Sequence, residues 1–282
     1  MSASGEARLG TYTAIDGENI AVQDWPLAEG LRPRALVLVV HGLGEHAHRY
    51  DPVARQLNTW GYAVRGYDQY GHGESGGARG ALPSRHRLVD DLADLAASTR
   101  RTVGEGVPLV VLGHSLGGLV AASFALEHPK ALDALVLSSP VFATRARGMQ
   151  KLMLRTLPRI VPWVRVRNGV RPGSLSHDEQ VVQRYVADPL VHDRLSARLA
   201  GFIVEGGPRV LRAAPAWQVP TLLLYAGADR VVDPAGSRAF AQAAPKDVVS
   251  ARCFDGLYHE IFNERDAQPV FEALRTWLDG RF

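Results

Sequence analysis

Gly113-His114-Ser115-Leu116-Gly117 sets a serine at G-x-S-x-G spacing, directly after the apolar run Leu109 to Leu112 and before an alanine-rich stretch. In that context the motif predicts a sharp strand-to-helix turn. A Cβ at either flanking glycine would strike neighbouring backbone, and the turn lifts the Ser115 hydroxyl over a helix N-terminus, where free N–H groups and the dipole favour negative charge. A serine alone is a weak nucleophile, so a base must lie within hydrogen-bond reach and a carboxylate must orient that base. Chains built around such a turn take the partners in the order serine, acid, histidine, each from a loop after a later strand. Asp229 follows the apolar run Leu222 to Tyr225, and His259 follows the last run, Ala251 to Phe254. Of the ten histidines, His259 alone has the required order and placement. Asp233 and Asp255 are rival acids. Asp233 precedes Pro234 and reads as a helix N-cap, and Asp255 is so close to His259 that it reads as a turn residue. The predicted catalytic set is therefore Ser115, Asp229 and His259.

Acyl transfer also needs two backbone donors for the oxyanion. One comes from the residue after the nucleophile, here Leu116, and one from the loop after an earlier strand. Val40-His41-Gly42-Leu43-Gly44 is such a loop, with glycines that permit close backbone approach, and Leu43 is the candidate second donor.

These residues need a scaffold. Ala35 to Val40, Tyr62 to Tyr67, Leu109 to Leu112, Leu132 to Leu137 and Thr221 to Tyr225 are short apolar runs, four of them followed by helical patterns. That alternation predicts an α/β fold with a buried, mostly parallel central sheet flanked by helices. Asp51-Pro52 before Val53, Leu57 and Trp60, with Gly61 behind, combines a cap, an apolar stripe and a stop, so a helix is expected there. Leu88, Leu92 and Leu95 mark a second helix, Asp233-Pro234 opens a third, and Ala267 to Leu278 closes the chain as a fourth. Between Ser138 and Thr221 the alternation stops for about 80 residues, too long for a plain connection. The expected division is a core of residues 1–140 and 216–282, with a cap inserted at 141–215.

The chain of 282 residues is 46% hydrophobic and 22% charged, with no apolar run long enough to span a bilayer. Met1 to Gly10 has neither a basic region nor an apolar core, so it does not read as a secretory signal, and a single cysteine, Cys253, fits a reducing compartment. The expected location is cytoplasmic. A net charge of +3 is too small to imply nucleic acid, but 13 Lys/Arg stand against 5 Asp/Glu from Arg145 to Arg212. These cations are interleaved with Leu, Val, Ile and Pro and accompany no nucleic-acid-binding module, so no nucleic-acid partner is expected. From Arg145 to Val164 the pattern predicts a basic amphipathic helix, and two roles stay open for it. Its apolar residues line an acyl channel, with Met153, Leu157 and Ile160 as lining candidates, or they seat the cap peripherally on a membrane whose anionic head groups meet the arginines.

The chain resembles the monoacylglycerol lipase and lysophospholipase branch of the α/β-hydrolases. The resemblance rests on His41-Gly42-Leu43-Gly44-Glu45-His46 with Arg49-Tyr50, Asp68 with Gly71-His72-Gly73 and Ser75, Gly113 to Gly118, Gly227 to Val232, and Tyr258 to Glu264. It runs in order from about Leu36 to the C-terminus. The resemblance implies a small lipid ester as substrate, a helical cap over an apolar acyl channel, and neither metal nor cofactor. It also implies that Glu45 and Arg49 lie on the leaving-alcohol side, where they suit a small polyol; an ion pair that merely steadies the loop reads equally well. Mammalian members carry a second histidine three residues after the catalytic one, and this chain has Phe262 there, so it is more similar to the microbial members. The alternatives are a short-chain carboxylesterase, a lysophospholipase, a proline iminopeptidase-like amidase and an inactive lipid-binding protein. The amidase would need cap carboxylates to hold an ammonium, and the cap is short of acids. Acyl chain length and oligomeric state are not legible.

Overall fold

A computed structural model describes residues 5–103, 106–145, 156–157 and 159–282. The chain opens with β1 (Arg8–Thr13) and β2 (Asn19–Trp25), then alternates β3 (Leu36–Val40), α1 (Asp51–Thr59), β4 (Ala63–Tyr67), α2 (Arg87–Val103), β5 (Leu109–His114), α3 (Leu116–Glu127) and β6 (Ala134–Ser138). After the insertion it resumes with β9 (Thr221–Ala226), α6 (Pro234–Ala243), β10 (Val249–Phe254) and α7 (Gln268–Asp279). The main sheet runs β1-β2-β4-β3-β5-β6-β9-β10. β4, β3, β5, β6, β9 and β10 are parallel, and the antiparallel hairpin β1–β2 is attached to the β4 edge.

The uninterrupted apolar runs are explained by burial on both faces. In β3, Leu36, Leu38 and Val40 pack with Leu92, Leu95, Leu119 and Phe124, whereas Val37 and Val39 point the other way to Val53, Leu57 and Leu274. With a period of two, five consecutive apolar residues feed two cores, one under α2 and α3 and one under α1 and α7. The hairpin β1–β2 was not legible in this way. All six residues of β1 are exposed or partly so, and β2 buries Ile20 and Val22 in one core and Trp25 in the other, without strict alternation.

The Asp51-Pro52 helix is present as α1, and Gly61 follows it at φ +87°. Asp51 itself is not the expected cap: it is the first helical residue, and its carboxylate accepts hydrogen bonds from Trp25 Nε1 and Arg55 Nε, each at 2.8 Å. A 3₁₀ turn at Ala47–Tyr50 runs straight into the helix and displaces the capping position.

The insertion holds a small antiparallel ribbon, β7 (Arg165–Arg167) with β8 (Arg194–Ser196), around α4 (Glu179–Ala187), and ends in α5 (Ala197–Ala213). Ser196 caps α5 by accepting the Leu199 N–H at 3.2 Å. α5 also packs closely on the core: a Cβ at Gly207 would lie 2.2 Å from the Phe142 carbonyl oxygen, and one at Gly206 would meet Leu119. Of the expected amphipathic helix, residues 146–155 and 158, and with them Met153, lie outside the described residues. Among the described residues no helix is long and apolar enough to cross a membrane.

Candidate active site

Ser115 joins β5 to α3 at φ 54° and ψ −115°, a left-handed conformation that a serine adopts only under constraint. The constraint is close packing. A Cβ at Gly113 would lie 2.4 Å from the Gly117 carbonyl oxygen, and one at Gly117 would lie 2.1 Å from that of Val40. The Ser115 N–H donates to the Ser138 carbonyl at 3.0 Å, and the Ser115 carbonyl accepts from Leu119 and Val141. The turn is thereby pinned to β6 and to its own helix.

The structure brings the three predicted residues into one chain of hydrogen bonds. His259 Nε2 lies 2.8 Å from Ser115 Oγ, and His259 Nδ1 lies 2.7 Å from Asp229 Oδ2. A carboxylate can only accept, so Nδ1 carries the proton, Nε2 is the acceptor, and the Ser115 hydroxyl donates. Asp229 is 2% exposed; its Oδ1 accepts the N–H groups of Val231 at 2.8 Å and Val232 at 2.9 Å. Burial alone would raise its carboxyl, but the His259 ring and these two amides outweigh that and hold it below the usual range. The rivals stand elsewhere. Asp233 caps α6 through the Ala235 N–H at 3.0 Å, and Asp255 is exposed on the turn after β10.

Leu43 and Leu116 both line the cavity above Ser115. Their amides meet no acceptor among the described residues. Gly44 turns the loop at φ +77° and its carbonyl accepts the His192 N–H at 2.9 Å, so the insertion is seated directly on this loop.

Glu45 and Arg49 also line the cavity, and they are already paired. Arg49 donates to Glu45 and, in a two-pronged contact at 2.9 and 2.8 Å, to Glu260, the residue after His259. Glu45 Oε1 accepts the Gly42 N–H at 2.6 Å and the Tyr50 hydroxyl at 2.8 Å. Despite burial, Arg49 and the neighbouring imidazoles hold the Glu45 carboxyl down to about 2. The pair is thus bonded to the loop through the Gly42 N–H, and both of its residues stand in the cavity wall. Glu260 was not foreseen, because nothing in local spacing links it to a residue over 200 positions earlier. His114, the variable residue of the motif, was also passed over. Its ring lies 4.7 Å from that of His259, its Nδ1 is 3.0 Å from Ser138 Oγ, and burial together with His259 pushes it down to about 4, so it is neutral beside the His259 ring.

The cavity measures about 210 Å³. Leu116, Val141, Ala200, Ile203, Val204 and Val232 form an apolar side, with Glu45, Arg49, Glu260 and Asn168 among the polar walls. Of the channel candidates, Ile160 is instead 72% exposed and Leu157 is half-buried, and neither is among the described lining residues. Periodicity announced an apolar face without saying what it meets. α5 contributes Ala200, Ile203 and Val204 to the lining, residues that carry no motif.

Residues 31–266 match the family described as "Serine aminopeptidase, S33". A monoacylglycerol lipase of Mycolicibacterium smegmatis is 31% identical over 275 residues, covering 95% of each chain. The crystal structure of a Paleococcus ferrophilus monoacylglycerol lipase superposes with a TM-score of 0.82 at 30% identity, covering 98% of this chain and 99% of the other. A soluble variant of the Saccharomyces cerevisiae monoglyceride lipase, in complex with a substrate analog, gives a TM-score of 0.88 at 22% identity over 99% and 97% of the two chains. At that identity the yeast structure speaks for the α/β-hydrolase fold alone.

Proposed function

Because the chain belongs to the serine aminopeptidase S33 family, within the monoacylglycerol lipase branch of the α/β-hydrolases, we propose that it hydrolyses monoacylglycerols through a Ser115 acyl-enzyme. The observation that carries this reading is the Ser115–His259–Asp229 chain, at 2.8 and 2.7 Å, opening into a cavity lined both by apolar side chains and by the Arg49-linked carboxylates. Ser115 Oγ attacks the ester carbonyl as its proton passes to His259 Nε2, and Asp229 stabilises the imidazolium. The Leu43 and Leu116 amides receive the oxyanion. Collapse expels the alcohol, which takes its proton from His259. Water, deprotonated by the same ring, then attacks the acyl-enzyme and releases the fatty acid.

Residues 141–215 serve as the cap, contributing the α5 wall against which the acyl chain lies. Glu45 and Arg49 stand on the leaving-alcohol side. An ammonium-bearing amide substrate finds no free carboxylate in the cavity wall, because Glu45 and Glu260 both already hydrogen-bond Arg49. We further propose that the cap meets a lipid surface peripherally, since Ile160, Trp163, Val166 and Val186 are exposed beside several arginines.

Ser115→Ala is expected to lower ester hydrolysis by at least about 10⁴-fold and to abolish fluorophosphonate labelling, with the thermal midpoint nearly unchanged. A panel of 1- and 2-monoacylglycerols against p-nitrophenyl esters tests the substrate class. Failure to release glycerol from any acyl length, with p-nitrophenyl esters still cleaved, would remove the monoacylglycerol reading.

A further inference from the structure

Asn168 follows β7 within the insertion, and its amide orientation is fixed by the network around it. Its Oδ1 accepts the Val170 N–H at 2.9 Å, so the other terminal atom is the nitrogen. Its backbone N–H donates to the Asp193 carbonyl at 2.7 Å, which anchors the residue to the chain entering β8. Nδ2 is buried and meets no hydrogen-bond acceptor among the described residues. Buried donors are almost always paired, so such a group calls for an explanation.

Its location supplies one. Among the described residues with a buried unpaired polar side-chain atom, Asn168 alone lines the cavity that contains Ser115. It stands against the oxyanion loop: a Cβ at Gly44, the residue after Leu43, would lie 3.5 Å from Nδ2. The charged groups of the cavity are already engaged. Arg49 Nη1 and Nη2 go to Glu45 and Glu260, and Glu45 Oε1 is taken by Gly42 and Tyr50. The charged triad can set the polarity of this end, while Asn168 brings a neutral donor that still needs an acceptor.

We infer that Asn168 is a specificity-determining residue whose Nδ2 donates a hydrogen bond to a hydroxyl oxygen of a small polyol in the ester's alcohol half. The inference rests on the monoacylglycerol reading above and adds to it the group that tells a polyol ester from a simple alkyl ester. A fatty acyl tail offers no acceptor to an amide, and the carbonyl oxygen is met by the Leu43 and Leu116 amides, so the acceptor left to Nδ2 lies in the alcohol half. A site built to pair with a hydroxyl discriminates against the analogue lacking it, because the protein group is then left buried and unpaired.

The test compares kcat/KM for a 1-monoacylglycerol and for the methyl ester of the same acid, in the wild type, Asn168→Asp and Asn168→Ala. Asn168→Asp keeps the acceptor for Val170 and removes the donor, so the loop is preserved; thermal midpoints check this. The expected result is a fall of about tenfold on the glycerol ester in both variants, with the methyl ester within twofold of wild type. Equal losses on both esters would make Asn168 a loop-holding residue only and overturn the inference, as would an unchanged preference for the glycerol ester. A wild type that cleaves methyl ester but not monoacylglycerol would instead defeat the substrate reading, and this inference with it.

Discussion

Three aspartates of the last quarter of the chain have a claim on His259, and the side chains around each decide between them. Asp229 presents Oδ2 to Nδ1 while two amides hold Oδ1, so its carboxylate is both oriented and kept ionised. Asp233 has spent its carboxylate on a helix cap, and Asp255 faces solvent. Asp229→Asn is expected to cost about 10⁴ in kcat, because an amide stabilises no imidazolium and favours the wrong tautomer. Asp233→Asn and Asp255→Asn should retain most activity. Rate measurements on the three purified variants check this, and a crippled Asp255→Asn would shift the acid's role. The order serine, acid, histidine and the position of each after an apolar run made this set legible in sequence. The Glu45–Arg49 pair was legible through the resemblance, but the contact of Arg49 with Glu260 and the place of Asn168 in the cavity wall were not, since no local pattern records a contact across the fold.

At the scale of elements, three loops and the insertion must hold one geometry, and a buried carboxylate ties several of them. Glu264, with a side chain 1% exposed, accepts the Tyr258 N–H at 2.6 Å, the His177 N–H at 3.0 Å and His177 Nδ1 at 2.8 Å. Tyr258 precedes His259, and His177 belongs to the insertion. The Tyr258 ring stacks on His177 at 3.6 Å and receives Arg230, the residue after Asp229, at 4.2 Å. On the other side of His259, the Glu260 N–H donates to the Leu175 carbonyl at 2.8 Å. The histidine is thus bracketed on both sides by the insertion. Glu264→Ala is expected to lower kcat at least about tenfold with KM within about threefold, since displacement of the ring costs transition-state geometry more than binding. Glu264→Gln, which keeps one acceptor, should recover part of the loss. Steady-state kinetics beside thermal midpoints check it; an unchanged kcat in a folded Glu264→Ala would deny the carboxylate any positioning role. The parallel strands were legible because burial on both faces leaves continuous apolar runs. The hairpin β1–β2 and the ribbon β7–β8 were not, because half-exposed strands carry weak patterns and their pairing is set by the sheet edge and loop they attach to.

At the scale of the whole molecule, Leu9, Ile15 and Leu31 are exposed apolar residues near the N-terminal hairpin, and the other exposed large apolar side chains among the described residues fall in the insertion, where positive charge accompanies them. Ile160 and Trp163 are each 72% exposed, Val186 65% and Val166 55%, and Arg159, Arg165, Arg167 and Arg194 stand near them in the insertion, outnumbering their acidic partners Glu205 and Asp193. A substrate with a long acyl chain resides in an assembly, and the insertion that carries these side chains also lines the cavity above Ser115 through Asn168, Val170, Leu175 and Tyr185, which places it to take the substrate from there. Exposed aliphatic and indole side chains enter the interface while cations meet anionic head groups. Each basic residue near such a surface contributes about 1 kcal/mol, within a Debye length of about 10 Å at 0.1 M salt and about 3 Å at 1 M. The full chain is therefore expected to co-sediment with phosphatidylserine-containing vesicles at low salt and to bind neutral vesicles more weakly. High salt should erase the difference between the two lipids. Arg165→Glu with Arg167→Glu should weaken anionic-vesicle binding at least about tenfold, and Trp163→Ala should weaken binding to both lipids, because its contribution is apolar. Hydrolysis of a water-soluble p-nitrophenyl ester should be unaffected by either change, since none of these side chains belongs to the catalytic set. Binding indifferent to lipid charge and to salt would leave the arginines as an ordinary solvated face, with the exposed apolar residues unconnected to lipid.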